Sequence, residues 1–290
     1  RLLVQRGLAA RLAGREAPTR RPSVGRFADR SLCSAAEWER MHAAMEQAWA
    51  ALELDTVIEM GRLTRGFGAG EATAGMYAGA LLLRGRPDEA DRVLSARMPT
   101  AVDDDTSCRI VVTAALNVAF GLGRVSDARR LLARSARQAT GLRPRLVAYR
   151  AWLLALDGAV GEAVHCLDTE PHHEGVDPEA RLVAGTARAV AALAAGRPAE
   201  AVGGLRRALA MAEGQRYGLP WLPPYLTACL IDALVQAGRA GEAVATASRL
   251  RADPRGAAVA AAFSMRPAAR DHGDPVAERV RSLSSIRRAG

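Results

Sequence analysis

Apolar residues recur every three or four positions over most of this chain, which is the period of a single buried helix face. Between 35 and 52 the rhythm is carried by Trp38, Met41, Met45, Ala48, Trp49 and Leu52. The strict alternation of a half-buried strand is nearly absent. Short polar breaks divide the pattern into helix pairs: 35–52 with 55–64, 71–84 with 87–96, 105–122 with 125–138, 145–157 with 160–167, 178–195 with 198–212 and 224–237 with 240–251. Carboxylates in Asp103-Asp104-Asp105 and in Asp177-Pro178 are placed to cap helix starts. Beyond Pro254 a short alanine-rich helix over 257–265 is expected, followed by a polar, basic tail.

The breaks share one phrase. It reads Gly85-Arg-Pro-Asp-Glu-Ala90, Gly123-Arg-Val-Ser-Asp-Ala128, Gly158-Ala-Val-Gly-Glu-Ala163, Gly196-Arg-Pro-Ala-Glu-Ala201 and Gly238-Arg-Ala-Gly-Glu-Ala243, with glycines 38, 35, 38 and 42 residues apart. A glycine just past a helix end takes the left-handed conformation that closes the last turn. Pro87 and Pro198 suit the first turn of the next helix, where a missing N–H costs nothing. The acid that follows faces exposed amides, worth about 0.3–1 kcal/mol. The alanine lets two helices cross closely, and nine positions after the glycine stand Leu94, Leu132, Leu167 and Leu205, with Ala247 in the fifth copy. The first pair lacks the glycine; aligning Val57 with the repeat alanine puts Leu52 at the glycine position, as in a divergent capping unit. A recurrence at this period predicts an all-α solenoid of about six helix pairs, built as an array over 34–252 between a basic N-terminal segment, 1–33, and a short helix with a basic tail, 253–290.

Composition adds limits. Aromatic residues make up only 4%, as expected for helices packed through small side chains and aliphatic rows. No uncharged apolar run is long enough to span a bilayer, and the start, RLLVQRGLAARLAG, lacks the apolar core of a secretory signal. A cytoplasmic protein with no membrane partner is expected, and a first residue other than methionine suggests a piece of a longer polypeptide. Cys33, Cys108, Cys166 and Cys229 are widely spaced and fit buried apolar positions in a reducing compartment. All 40 basic residues are arginine. Without lysine, neither a phosphate-binding P-loop nor Schiff-base chemistry has its essential group.

The net charge of +9 is unevenly placed. Over 124–150 stand Arg124, Arg129, Arg130, Arg134, Arg137, Arg143, Arg145 and Arg150 against a single acid, Asp127. Such a block suits an acidic partner or nucleic-acid phosphate, although it lacks the interleaved aromatics that base stacking needs. His165, Cys166, His172, His173, Glu174 and Asp177 are the densest group of metal-ligand types, but their spacing is unlike that of zinc pairs, and no metal is expected. No nucleophile elbow and no HExxH is present, so no catalytic residue and no cofactor is assigned and the chain is expected not to be an enzyme. The segment from Tyr217 to Tyr225, with prolines 220, 223 and 224, places Tyr217, Trp221 and Tyr225 near Arg216. It reads either as an aromatic binding platform or, preferably, as a hydrophobic staple with Trp221 packed inward before the next helix.

The G-x-x-x-[DE]-A corner with an apolar residue four positions on resembles the second half of tetratricopeptide repeats, whereas the first half departs from them, for example at Ala78 and Leu81. RYGLPWLPPYLTACLIDALVQAGRAGEA (216–243) and ALAAGRPAEAVGGLRRAL (192–209) are similar to the helical-repeat region of large actinobacterial LuxR-type, MalT-like, ATP-binding transcriptional regulators. The resemblance extends over about 35–250. It implies a region that senses a protein partner or a small-molecule inducer and relays binding to ATPase and DNA-binding domains that these residues do not contain. DNA would then be met only through such a domain. The alternative is a free-standing adaptor whose arginine-rich third and fourth pairs hold an acidic protein segment. Self-association is a further expectation. Candidate partner-binding residues are Arg130, Arg134, Arg145, Arg150, Arg216, Tyr217, Trp221 and Tyr225.

Overall fold

Helices form where the apolar period places them. A computed structural model describes residues 35–64, 71–99, 102, 104–139, 141–169, 177–213, 218–253, 255, 256 and 259. Among these it is all-helical, without a strand. The elements are α1 (Ala35–Ala50), α2 (Leu54–Thr64), α3 (Glu71–Leu83), α4 (Pro87–Ser95), α5 (Asp105–Leu116), α6 (Val125–Gln138), α7 (Arg143–Leu156), α8 (Val160–Asp168), α9 (Pro178–Ala194), α10 (Pro198–Glu213), α11 (Leu222–Gln236) and α12 (Ala240–Ala252). The N-terminal segment and the helix expected over 257–265 lie outside or almost wholly outside the described residues.

Every corner but the third turns by the same hydrogen-bond pattern. Arg86, Ala159, Arg197 and Arg239 each donate their N–H to a carbonyl five residues back, at 2.8–2.9 Å, while the glycine before each, at φ between 69° and 78°, donates to a carbonyl three back. This is the Schellman closure of a helix end. In the first pair Leu52 occupies the glycine position with φ 55°, the one left-handed non-glycine residue among those described, and Glu53 donates to the Ala48 carbonyl at 2.9 Å. Left-handed backbone costs a residue with a Cβ roughly 1–2 kcal/mol. Leu52 is 5% exposed, and burial of such a side chain, worth about 1.5–3 kcal/mol, offsets the strain.

The third corner is one residue longer. Asn117–Gly121 forms a π turn continuing α5, and Arg124 reaches back six residues to the Val118 carbonyl at 2.8 Å. The cause lies in a close approach: a Cβ on Gly121 would come within 2.5 Å of the Pro87 side chain, and Asn117 Nδ2 donates to the Pro87 carbonyl at 3.0 Å. Inserting a residue into a helix is the usual origin of such a turn.

The arginine of the phrase also has a structural role. It stands at the N-cap with no side-chain cap of its own, and its guanidinium folds onto the acid three residues later. Arg86 Nε meets Glu89 at 2.6 Å, Arg124 Nε meets Asp127 at 2.7 Å, Arg197 meets Glu200 at 2.6 Å and Arg239 Nε meets Glu242 at 2.6 Å. At the fourth corner Ala159 replaces the arginine and Glu162 is exposed.

The core follows the repeat. Ala90, Ala128, Ala163, Ala201 and Ala243 are all buried, as are Leu94, Leu132, Leu167 and Leu205, while Ala247 is half-buried. Each helix packs against the next in sequence, and the leading helices also touch across pairs: α1 with α3, α3 with α5, and most extensively α7 with α9. Small residues permit these approaches; a Cβ on Gly79 would lie 2.8 Å from Trp49. Among the described residues, no helix is long and apolar enough to cross a membrane.

Candidate functional site

The leading helices enclose a cavity of about 430 Å³, within the range of small-molecule pockets. One wall is α1, with His42, Glu46 and Trp49. The floor is α3 and α5, with Met76, Leu82, Leu83, Val112, Leu116 and Phe120. The far side is closed by Gly218, Leu219 and Trp221, which precede α11 and reach back over the third pair. Glycine at 218 fits beside Arg109, whose guanidinium would lie 3.6 Å from a Cβ there.

What holds the returning segment is an aromatic cluster. Trp152 of α7, 1% exposed, stacks on Trp221 with centroids 5.9 Å apart and planes 19° from parallel, and meets Tyr225 edge-on at 5.3 Å. Phe120 and Tyr149 complete the group at 5.6 and 6.2 Å from Trp152. Such pairs contribute about 0.5–1.5 kcal/mol each beyond the area they bury. Trp221 therefore packs inward, as a staple would, while also lining the cavity.

Charge concentrates at one end. Arg145 of α7, its side chain 8% exposed, bonds Asp177 through Nε and Asp105 through a terminal nitrogen at 2.5 Å, with Glu179 3.7 Å away. Arg109 Nε bonds the second Asp105 oxygen at 2.6 Å, and the Tyr149 hydroxyl donates to Glu179 at 2.9 Å. Asp177 additionally caps α9 by accepting from the Glu179 amide at 3.0 Å. The ends of α5, α7 and α9 are thus tied by three carboxylates and two guanidiniums. Burial opposes the Arg145 charge, but Asp177, Glu179 and Asp105 outweigh it and raise its pKa. Burial likewise raises the pKa of Glu179, against the pull of Arg145 and the Tyr149 hydroxyl. Asp105 goes the other way: its partial burial is overcome by hydrogen bonds from Arg109 and Arg145, and its pKa is lowered.

The candidate residues read from sequence separate. Trp221 and Tyr225 come together in the aromatic cluster. Arg145, expected on a partner-binding surface, is instead inside, because Asp105, Asp177 and Glu179 arrive from the neighbouring pairs. Arg150 is half-buried, with a nitrogen 3.6 Å from the Cys166 sulfur. Arg130 and Arg134 lie on the exposed face of α6, Arg130 paired with Asp127. Arg129 takes Asp157 of the next pair at 2.7 Å. Arg216 and Tyr217 lie outside the described residues, as do His172, His173 and Glu174. His165 is exposed and Cys166 buried. Cys108, Cys166 and Cys229 are buried, and burial pushes the thiols of Cys108 and Cys229 up to about 12.

The cavity itself was not expected from sequence. Its one legible sign was the proline-rich break before α11, which marks an irregular segment but not where that segment returns. Comparison with protein-family models, curated proteins and solved structures gave no match.

Proposed function

We propose that the chain is the ligand-sensing helical-repeat region of a transcriptional regulator, a tetratricopeptide-like solenoid that relays binding to ATPase and DNA-binding domains elsewhere in the polypeptide. The observation that carries this reading is the cavity, whose lining comes from the first three pairs, from Glu179 of the fifth and from the segment that opens the sixth. A ligand there touches both halves of the array at once. In a solenoid, where each unit leans mainly on its neighbours, a small change at such a bridge accumulates along the stack. The sequential packing of the pairs and the common corner support the solenoid. The region binds and relays in the cytoplasm, and it carries no catalytic step.

Two measurements test this. The reading frame around the gene should encode an upstream Walker motif and a downstream helix-turn-helix; a start codon directly before Arg1 with a stop after Gly290 overturns the regulator. For the relay, spin labels at Ala43→Cys and Val244→Cys, with Cys33→Ser and the buried native thiols left in place, report the distance between α1 and α12. A shift in that distance on saturation with an apolar cavity probe is expected, and binding with an unchanged distance overturns the relay.

The adaptor reading retains one specific observation. Arg134 is exposed on α6 with no ion pair among the described residues, and it stands one turn from Arg130, which is exposed but paired with Asp127. Titration of a polyglutamate peptide against Arg134→Ala separates this surface from the cavity.

A further inference from the structure

The cavity is asymmetric in a way that specifies its ligand. Its body is apolar and partly aromatic, from Trp49, Met76, Leu116, Phe120 and Trp221. The charged groups lining it are Glu46, Asp105 and Glu179 against Arg109. Behind them Arg145 is matched by Asp177. Acid therefore exceeds guanidinium at this site, in a chain whose net charge is +9. Arg109 is held by Asp105, so it is not an open anchor for an anion.

Glu179 is the telling group. It is buried, and of its two oxygens Oε1 accepts from Tyr149, while Oε2 has Arg145 at 3.7 Å, an ion-pair separation beyond hydrogen-bond reach. A desolvated carboxylate with acceptor capacity to spare is unfavourable unless a donor reaches it. His42 and Glu46, 3.4 Å apart on α1, contribute further polar groups to the lining. Trp49, Phe120 and Trp221 line the same cavity, and a ring that meets a charged ligand through its face favours a cation over an anion.

We propose that this cavity binds a small organic cation, a molecule with an apolar body lying between Trp49, Leu116 and Trp221 and an ammonium group meeting Glu179 and Asp105. The ammonium donates to Glu179 Oε2, whose contact with Arg145 is 3.7 Å, and balances the excess of acid. The apolar body displaces water from a site that α1, α3, α5 and the Gly218–Trp221 segment already enclose. The proposal rests on reading the cavity as a ligand site and adds its chemistry.

The test uses the full chain and three probes of matched shape: diphenylbutylamine, diphenylbutanol and diphenylbutanoic acid, titrated by calorimetry and by ligand-observed NMR. A charge-assisted hydrogen bond predicts that the amine binds about tenfold or more tightly than the alcohol, and the acid weakest. Glu179→Gln keeps the shape and the Tyr149 hydrogen bond, and should bring the amine down to the alcohol's affinity. Met76→Trp and Leu82→Trp, which fill the body, should remove binding of every probe; either one that remains folded by circular dichroism suffices. Equal binding of amine and alcohol, lost on filling, overturns the cation and leaves the ligand site standing. Tighter binding of the acid does the same and moves the anchor to Arg109. Absence of binding by all three probes, or binding that survives filling, overturns both.

Discussion

The corner side and the cavity side of this molecule use the same helices under different rules. At the corners the chemistry is copied: a left-handed residue, a Schellman pair of hydrogen bonds, an arginine folded on an acid, a buried alanine. At the leading-helix ends nothing is copied. Asp105, Arg145 and Glu179 occur in three different pairs, each once, and meet only because the pairs stack. Trp152 and Trp221 likewise come from separate units. A repeated feature has a local cause, so it must recur wherever the chain turns. A feature that appears once and depends on distant partners has no such cause, which is why function is sought there.

The largest expected break in this contrast is Arg145→Met. It removes the shared cation of three carboxylates, and breaking a buried ion cluster from one side costs about 3–5 kcal/mol. Chemical denaturation at neutral pH should show that loss. The deficit should shrink on acidification. The Asp105 pKa is lowered in the folded protein, so its stabilising contribution is present above the unfolded carboxylate range and disappears as pH falls through the folded value. A deficit equal at both pH values would mean that packing, not charge, holds the cluster.

Glu179 gives the opposite sign within the same cluster. Its folded pKa is raised, so its contribution is full below the unfolded value and is lost as pH rises through the folded one. Glu179→Gln should therefore match the wild type in acid and be the more stable of the two at neutral pH. A variant less stable than wild type at neutral pH would show that the Arg145 contact outweighs burial.

At the corners the effects are smaller and uniform. Gly196→Ala meets open space, with no atom within 4 Å of the new Cβ, but at φ 72°. The cost is then purely conformational, about 1–2 kcal/mol, and Gly238→Ala at φ 73° should match it. Thermal unfolding of the two variants checks this, and a marked difference between them would deny that the corners are equivalent.

Legibility divides along the same line. The corners other than the third were readable because each is set by residues within six positions, including Leu52, whose place was found by register and whose left-handed φ follows from it. The arginine block misled because a linear count of eight bases against one acid ignores what stacking brings: Asp157 comes to Arg129, and Asp105, Asp177 and Glu179 come to Arg145. The π turn was unreadable, since it answers Pro87 some thirty residues away. The proline-rich break before α11 announced an irregular segment, and only the stacking of Trp221 on Trp152 shows where it goes.

The fourth corner supplies the finest test, because nature has already deleted one element there. Ala159 stands where four other corners have the arginine, and Glu162 is exposed three residues on. If the arginine acts by pairing with that acid, Ala159→Arg should add about 0.3–0.5 kcal/mol, the worth of an exposed pair at this helical spacing, and Arg197→Ala should remove the same amount at the fifth corner. Both changes should fade together in high salt, since the charges are exposed and screened. If instead Ala159→Arg destabilises while Arg197→Ala is still costly, the arginine stem packing on its helix is what matters, and the recurrence of the residue reflects shape rather than charge.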